Sequence, residues 1–204
     1  MDGAPLDAGQ VEALRRVTAW VDPAATLWNR SLADNLRYGN ADVADAAVQA
    51  TVRDAGLTDV VARLPEGEGL GEGGGLVSGG EGQRVRLARA MLKPGARLAI
   101  LDEPFRGLEG DLRRSLLIAA RRRWQAATLL YVSHDIDTAL EFARVVVVDG
   151  GRVVEDGTPD ELLQRPGSRL AALRAAQQAA ARELWAAPPW RRWWLERGQL
   201  RGDR

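Results

Sequence analysis

Two short apolar runs, each ended by polar residues, constrain the fold of this chain most strongly. The runs are Leu98–Leu101, followed by Asp102 and Glu103, and Thr128–Val132, followed by Ser133 and His134. An arginine-rich segment of helical composition, 112–124, separates them. Apolar strands joined by a helical crossover form buried parallel pairs, because the helix covers a face of the sheet. The pattern therefore predicts an α/β protein whose sheet carries polar side chains at its carboxyl edge.

Local signals predict the remaining elements. Apolar spacing predicts a strand over Val17–Val21 and helices over Gln10–Arg16, Asp42–Ala55, a short stretch after Thr58, Glu81–Leu92 and Ser168–Ala187. We expect Asp42 to be the N-cap of its helix. Asp149, Gly150 and Gly151 predict a hairpin, and Thr158, Pro159 and Glu161 predict a capped helix start. Glycine fills more than half of positions 67–82, which predicts a loop with unusual backbone freedom.

Composition narrows the class of protein. Twenty-eight basic and 28 acidic residues give zero formal charge, so no global field favours nucleic acid, and we expect no such partner. The chain has no cysteine, which excludes disulfides and thiolate chemistry and is compatible with a reducing cytoplasm. No apolar run approaches the roughly 20 residues of a membrane span, and the N-terminus lacks a signal-peptide pattern. We therefore expect a soluble chain with one main domain.

The segment Val77, Ser78, Gly79, Gly80 and Glu81 stands at a predicted helix start. Free N–H groups and the positive end of the helix dipole attract anions there, and glycine lets a phosphate approach closely. The alternative is an ordinary N-cap serine after a flexible loop. Gly69, Gly71 and Gly74 also match G-x-G-x-x-G, but Leu64–Glu66 precede them instead of a strand, so a dinucleotide site lacks its context.

Asp102, Glu103 and His134 suit phosphate chemistry at the edge of a sheet. An acid at a strand end can hold Mg²⁺ through water, and its neighbour can orient or deprotonate an attacking water. His134, the only histidine, can contact a terminal phosphate. Each residue alone is as easily structural. Their order after an anion-binding helix start, within 60 residues, favours the functional interpretation.

These segments together resemble the nucleotide-binding domains of the ATP-binding cassette (ABC) family. Val77–Glu81 is similar to the family's Leu-Ser-Gly-Gly-Gln signature, and Gln83, Arg84 and Ala88–Ala90 are similar to its signature helix. Leu98–Pro104 resembles the Walker B strand with its catalytic glutamate, and Ser133–Asp135 resembles the switch-histidine segment. The segment 149–159 is similar to the usual end of the domain. The resemblance covers about 160 residues.

The resemblance implies a fold, cofactors and site residues. It implies a partial P-loop NTPase fold of the ABC ATPase type over 1–165, with a helical subdomain over 40–92 and a helical extension over 166–204. By this resemblance, Glu103 and His134 are the expected catalytic residues, and Asp102 is expected to bind Mg²⁺ through water. The segment Val77–Glu81 is the signature that contacts ATP bound by the partner domain, and Glu109 is the acidic residue of the D-loop.

The exporter branch of the family is implied by two further segments. Ser31–Gly39 resembles the stretch after the Q-loop, and Gly71–Gly74 resembles the short loop before the signature. In relatives both dock on membrane-domain coupling helices, so Asp22, Pro23 and Glu72 are the expected coupling residues. The implied partners are a second nucleotide-binding domain and the transmembrane domains of an exporter. The implied location is the cytoplasmic face of the membrane, reached through those transmembrane domains.

The sequence departs from the family at several positions. The phosphate-binding loop G-x-x-x-x-G-K-[ST] is absent, because the only lysine, Lys93, lies after the signature helix without the required glycines. No glutamine occurs near Pro23, where the Q-loop glutamine belongs. Glu109 replaces an aspartate, and Gly82 replaces a helix-forming residue, which should cost about 0.5–1 kcal/mol of helix stability.

Met1–Gly3 resembles the stretch after the Walker A helix, so we expect the first strands of the domain to be absent from this sequence. Their absence should leave a gap between the Asp102 and His134 strands, and unpaired strand groups are costly to bury. We therefore predict that the isolated chain is marginally stable.

Three functions remain open at this stage. The first is an exporter fragment whose full-length form couples ATP hydrolysis to transport. The second is a non-catalytic subunit that lends Ser78 and Gly80 to another chain's ATP. The third, a soluble cassette ATPase outside transport, lacks its expected insertion or duplication. In each case the isolated chain is not expected to hydrolyse ATP alone.

The C-terminal end is rich in tryptophan and arginine. The residues are Trp185, Trp190, Trp193 and Trp194 with Arg191, Arg192 and Arg197. They suit a partner contact, a membrane interface, or a helix whose tryptophans cover the domain.

Overall fold

The computed structural model describes residues 5–40, 42–65, 67–186, 193–196 and 199–202. They fall into two units, Met1–His134 and Asp135–Arg204. The predicted domain boundary at 165 follows the family pattern and stays a prediction. Across the described residues, no helix combines the length and the apolar character that crossing a membrane requires.

The first unit contains a three-stranded parallel sheet. Its strands are β1 (Thr18–Val21), β2 (Leu98–Asp102) and β3 (Thr128–Val132), in the order β1-β2-β3. Leu98 is in register with Thr18 on one side and Thr128 on the other. The predicted strands and their parallel pairing are confirmed.

The first unit also contains six α-helices among the described residues. They are α1 (Ala8–Arg16), α2 (Leu32–Arg37), α3 (Asp45–Asp54), α4 (Thr58–Arg63), α5 (Gly79–Met91) and α6 (Gly110–Arg123), with a one-turn 3-10 helix at Glu72–Gly74. The 3-10 turn interrupts the predicted glycine loop, and α5 begins within it. Helix α6 is the predicted crossover between β2 and β3.

The predicted N-cap of α3 is wrong. The helix begins at Asp45 after Ala44, which makes no side-chain cap, and Asp42 lies outside the helix. The reason is tertiary: Val43 packs against the helical core and its N–H donates to the Asn40 carbonyl, which holds this stretch in a turn.

The first unit has a buried core between its helices. Ten buried side chains form it: Leu27, Leu36, Val48, Ala55, Leu57, Val60, Leu70, Val85, Ala88 and Leu92. They come from α2 to α5, from the loops between them and, for Leu27, from the loop before α2, because each of these short helices has an apolar face to bury. This core fixes the start of α5 relative to α2 and α4.

Strand β3 corrects two expectations. It was expected to be buried, but Leu130 and Val132 are 49% and 46% exposed. It was also expected to lie across a gap from β2, but the two strands pair directly along their whole length. Direct pairing satisfies the backbone groups of both strands. Within the described residues, the outer edges of β1 and β3 both lack a further strand, and the edge of β3 is the one next to the predicted catalytic histidine.

The sheet has one covered and one open face. Ala19, Val21, Ala99 and Leu101 on one face are at most 3% exposed, and α5 lies against β1. On the other face Trp20, Ile100 and Leu130 are in register across the three strands. Trp20 is 58% exposed. The open face therefore presents a row of apolar side chains.

The second unit is a hairpin with three helices and a second two-stranded ladder. Its elements are α7 (Ile136–Ala139), β4 (Val145–Asp149), β5 (Arg152–Gly157), α8 (Pro159–Gln164), α9 (Arg169–Ala186), β6 (Trp193–Glu196) and β7 (Gln199–Gly202). The predicted hairpin is confirmed, since Gly150 and Gly151 both have positive φ. The capping box of α8 and the helix before residue 187 are confirmed as well.

The helical interpretation of the C-terminal tryptophans holds for the backbone of Trp185, which lies in α9, and is wrong for Trp193 and Trp194, which lie in β6. Strands β6 and β7 pair antiparallel, with Trp193 opposite Gly202. Trp190, Arg191, Arg192 and Arg197 lie outside the described residues. The partner and membrane interpretations stay predictions.

Candidate functional site

The signature segment forms the start of α5. Ser78 is the N-cap: its hydroxyl accepts from the Glu81 N–H at 3.2 Å, and the Glu81 carboxylate accepts from the Ser78 N–H at 2.7 Å. In the first turn of a helix, N–H groups have no acceptor four residues earlier. This capping box uses two of them, so those of Gly79 and Gly80 are left to meet a ligand.

Glu81 adds a negative charge that the family's glutamine would not carry. Burial alone would raise its pKa, but hydrogen bonds from Ser78 and the guanidinium of Arg63 together lower the pKa of Glu81 below its ordinary value. Arg63, at the end of α4, donates to the Glu81 carboxylate at 2.8 Å and to the Leu76 carbonyl at 3.1 Å. The charge at the start of α5 is therefore paired. No sequence signal indicated Arg63, because the partners are 18 residues apart.

Gly80 and Gly82 both lie close to side chains of neighbouring segments. A Cβ on Gly80 would lie 2.8 Å from a methyl carbon of Leu108, and one on Gly82 would lie 3.3 Å from Leu27. Leu108 immediately precedes Glu109, so the predicted D-loop packs against the signature. Glu109 itself is the N-cap of α6 and makes no side-chain cap. Gly82 thus departs from the family sequence at a position where its helix meets the core.

Two arginines anchor α5 to α2 and to the loop before it. Arg86 Nε donates to the Ala25 carbonyl at 2.6 Å, and Arg89 Nε donates to the Asn35 carbonyl at 2.8 Å. Burial lowers the pKa of both guanidinium groups. The loop begins with Asp22 and Pro23, where the Asp22 carboxylate accepts from the Ala24 N–H at 2.8 Å. The signature helix is thus tied to the predicted coupling residues.

Glu103 follows β2 in an unusual backbone conformation. Its φ is +42°, the only positive value among the described residues other than glycine. A left-handed conformation of this kind costs about 1–3 kcal/mol and persists only where the surroundings hold it. Its N–H donates to the Val132 carbonyl at 2.9 Å, and its carbonyl accepts from Gln83 Nε2 at 3.0 Å.

The Glu103 carboxylate faces the end of β3. One oxygen accepts from the His134 N–H at 2.9 Å and lies 2.8 Å from His134 Nδ1. The other oxygen lies 3.5 Å from the Ser133 hydroxyl. The His134 side chain is 79% exposed and that of Glu103 is 25% exposed. The structure therefore joins the two predicted catalytic side chains at an edge that solvent reaches.

Asp102 ends β2 in register with Val132 and is half-buried. In the part of the chain that the structure describes, no three His, Asp or Glu side chains gather as a metal cage. Mg²⁺ in nucleotide sites is held by one or two carboxylates, waters and the phosphates themselves. A single carboxylate at a strand end fits Mg²⁺ that is bound together with water and phosphate. It does not fit a Mg²⁺ site in which the protein supplies all the ligands.

An apolar groove in the first unit was missed by sequence reasoning. Its volume is about 630 Å³, and its lining includes Leu32, Leu36, Val48, Val52, Val61 and Leu64. The groove includes part of the predicted Ser31–Gly39 coupling segment, but Asp22, Pro23 and Glu72 are outside its lining. Its walls come from α2, α3 and α4, so only the tertiary arrangement could reveal it.

Comparisons with known proteins match this chain to transport proteins. A family model described as ABC transporter matches residues 1–106. The ATP-dependent lipid A-core flippase of Alkalilimnicola ehrlichii is 38% identical over 170 residues, covering 82% of this chain and 29% of that protein. The flippase of Pseudomonas putida is 37% identical over 186 residues, covering 89% and 31%. The chain thus spans about three tenths of the length of these curated relatives.

A solved structure gives a similar result. A bacterial Atm1-family ABC exporter with ATP bound superposes with a TM-score of 0.76 at 30% sequence identity. The match covers 82% of this chain and 30% of that one.

Proposed function

Because the chain belongs to the ABC transporter family, whose model matches more than half of its residues, we propose that it supplies the signature helix and the hydrolytic edge of an ATP-driven exporter. Its fold is an α/β fold of the ABC ATPase type. One observation carries the proposal: Glu103, in a conformation held from both sides, directs its carboxylate to His134 at the strand ends beside Asp102.

Each site residue has a chemical role in this proposal. Glu103 orients the attacking water and accepts its proton, and His134 contacts the terminal phosphate. Asp102 holds Mg²⁺ through water, and Mg²⁺ when bound neutralises charge on the phosphates. Ser78 and the N–H groups of Gly79 and Gly80 meet a triphosphate presented by the second nucleotide-binding domain.

The lysine of the phosphate-binding loop has to come from outside these 204 residues, since Lys93 lies in the turn after α5. Two features support a supplied segment: the unpaired outer edge of β3 in the described structure, and the apolar row Trp20, Ile100 and Leu130 on the open sheet face. A strand and helix that carry the loop would cover both. Without them we expect no ATP hydrolysis by the chain alone.

The membrane partner is assigned to the groove. An amphipathic helix laid in an apolar groove is a common recognition mode, and the groove at α2, α3 and α4 exposes mainly apolar surface. We assign it to a cytoplasmic helix of an exporter's transmembrane domain. The chain would then lie at the cytoplasmic face of the membrane, held there by its partner.

A non-catalytic role is the second candidate, favoured by the single lysine. In a subunit of this kind, Ser78 and Gly80 would contact ATP bound by another chain, and Glu103 would take no part in hydrolysis. Both candidates predict that the pure chain binds no ATP, so the test needs the completed site.

The test compares two substitutions in the chain joined to a cassette segment that carries the phosphate-binding loop. If Glu103 is the base, Glu103→Gln abolishes ATP turnover and retains bound ATP, because Gln keeps the shape but cannot take the proton. Ser78→Ala lowers turnover in either role. Undiminished turnover by Glu103→Gln together with loss by Ser78→Ala would contradict the hydrolytic role and support the non-catalytic one. The measurements are phosphate release and retained radiolabelled ATP.

A further inference from the structure

Gln83 stands between the signature helix and Glu103. It lies in the second turn of α5, is 5% exposed, and donates from Nε2 to the Glu103 carbonyl at 3.0 Å. A buried amide needs partners for both its donor and its acceptor. The acceptor Oε1 lies 3.5 Å from Arg86 Nη1. The amide therefore has one defined orientation, with its nitrogen towards Glu103.

Arg86 is itself held in place. Its Nε donates to the Ala25 carbonyl at 2.6 Å, in the loop that Asp22 and Pro23 begin. A continuous set of contacts thus runs from this loop through Arg86 and Gln83 to the backbone of Glu103.

The bond from Gln83 bears on the side chain of Glu103 through its backbone. A φ of +42° places the Glu103 Cβ on the side that faces His134. Three hydrogen bonds reach this backbone: the Glu103 N–H donates to Val132, and the Glu103 carbonyl accepts from Gln83 Nε2 and, at 3.3 Å, from the Arg106 N–H. The Arg106 bond closes a local turn, whose geometry does not depend on the φ of its first residue. If the Gln83 bond is lost, the carbonyl keeps only the local turn bond from Arg106, no bond from α5 opposes a change at Glu103, and the residue relaxes to the negative φ that L residues prefer. The carboxylate then moves away from His134.

We propose that Gln83 is a positioning residue that holds Glu103 in its left-handed conformation and so keeps the carboxylate on His134. The inference rests on the proposed role of Glu103 as the hydrolytic base. It also gives the signature helix a direct effect on the hydrolytic edge of the same chain, since a shift of α5 moves Gln83 and with it the Glu103 carbonyl.

Because His134 is the only histidine, its contact with the Glu103 carboxylate can be measured in the pure chain. At a pH where the imidazole is neutral, a carboxylate on Nδ1 keeps the proton there, and the ¹⁵N shifts of the ring report which nitrogen carries it. We expect the Nδ1–H to Nε2–H ratio of His134 to fall about fivefold in Gln83→Leu, the size of one lost hydrogen bond. Gln83→Met, which keeps the volume without a donor, should give the same fall.

Two controls define the range. Glu103→Ala removes the acceptor and sets the ratio expected for a free imidazole. Gln125→Leu makes the same change at an exposed glutamine after α6 and should leave the ratio unchanged. An unchanged ratio in Gln83→Leu and Gln83→Met, beside a changed one in Glu103→Ala, would overturn the inference. An unchanged ratio in all variants would overturn it too, because His134 would then not depend on Glu103.

The outcome is independent of the proposed function. The ratio is read without nucleotide, so the inference can fail while Glu103→Gln still abolishes turnover in the completed site. Conversely, a fall in the ratio together with undiminished turnover by Glu103→Gln would retain Gln83 as a positioning residue and remove the hydrolytic role.

Discussion

At the scale of single residues, the signature is shaped by contacts inside this chain as well as by any ligand. Gly80 makes room for Leu108, which is 8% exposed. The neighbouring Gly79 meets nothing within 4 Å. The two glycines therefore differ in their surroundings: a side chain at Gly80 would press on Leu108, and one at Gly79 would meet nothing in this chain.

Gly80→Ala should lower the free energy of unfolding by about 1 kcal/mol, because overpacking against Leu108 outweighs the gain in helix propensity. Gly79→Ala is the matched control and should be neutral or raise stability by about 0.5 kcal/mol. Urea denaturation of the two single variants and of the double variant Gly80→Ala/Leu108→Ala measures these changes in the free energy of unfolding. An equal effect of both alanines, or no relief from Leu108→Ala, would contradict the packing explanation.

At the scale of elements, α9 begins on a buried carboxylate from β5. Glu155 accepts from the Leu170 N–H at 2.8 Å, the Arg169 N–H at 2.9 Å and the Ser168 hydroxyl at 3.3 Å. The Leu170 N–H bond, with those from Arg169 and Ser168, outweighs burial and holds the pKa of Glu155 below its ordinary value of 4.5. In the second unit this carboxylate thus links the hairpin to the start of α9, beside the buried cluster that includes Val145, Val147 and Leu170.

The Glu155 contacts predict a dependence of stability on pH. Because the pKa is lowered in the folded state, the stabilisation is complete above about pH 4.5 and is lost as the pH falls through the folded-state value. The melting temperature, followed at the Leu170 amide by NMR, should therefore fall more steeply below pH 4.5 in the wild type than in Glu155→Gln. Glu183→Gln, an exposed carboxylate in α9, should match the wild type. Identical pH profiles for all three proteins would contradict the assignment.

Elements with local signals were predictable, and long-range contacts were not. The bounds of β2 and β3 followed from apolar runs, and the start of α8 from its capping box, because both signals lie within a few residues. The N-cap at Asp42 failed since Val43 is held by the core. The bond from Gln83 to Glu103 joins residues 20 positions apart, and the burial of β3 depends on what covers it. Neither has a signature in the sequence.

At the scale of the whole molecule, the first unit is closed on one side and open on the other. Its helices bury one face of the sheet, while the opposite face exposes Trp20, Leu130 and Val132. The marginal stability expected from the sequence stays a prediction. The exposed apolar side chains on the open face are the part of the first unit that would account for it.

Paired substitutions in β3 test whether the open face awaits a partner segment. Leu129 is half-buried on the helix-facing side, and Leu130 is exposed on the open face. In the isolated chain, Leu129→Thr should lower the melting temperature while Leu130→Thr leaves it nearly unchanged. In the chain joined to a segment that carries the phosphate-binding loop, both substitutions should lower the melting temperature. For Leu130→Thr the free energy of unfolding should fall by about 1–3 kcal/mol, because the burial of an apolar side chain is lost. Leu130→Thr without effect in the joined protein would contradict a covered face.

The unpaired edge of β3 also bears on how a cell handles this chain. An edge strand with exposed apolar residues is a template for non-native pairing between molecules. Copies that lack their complement are therefore expected to enter the triage of chaperones and proteases, where small differences in stability change abundance several-fold. The steady-state amount of this chain would then be set by the supply of the segment that covers β3, and hardly by its own rate of synthesis.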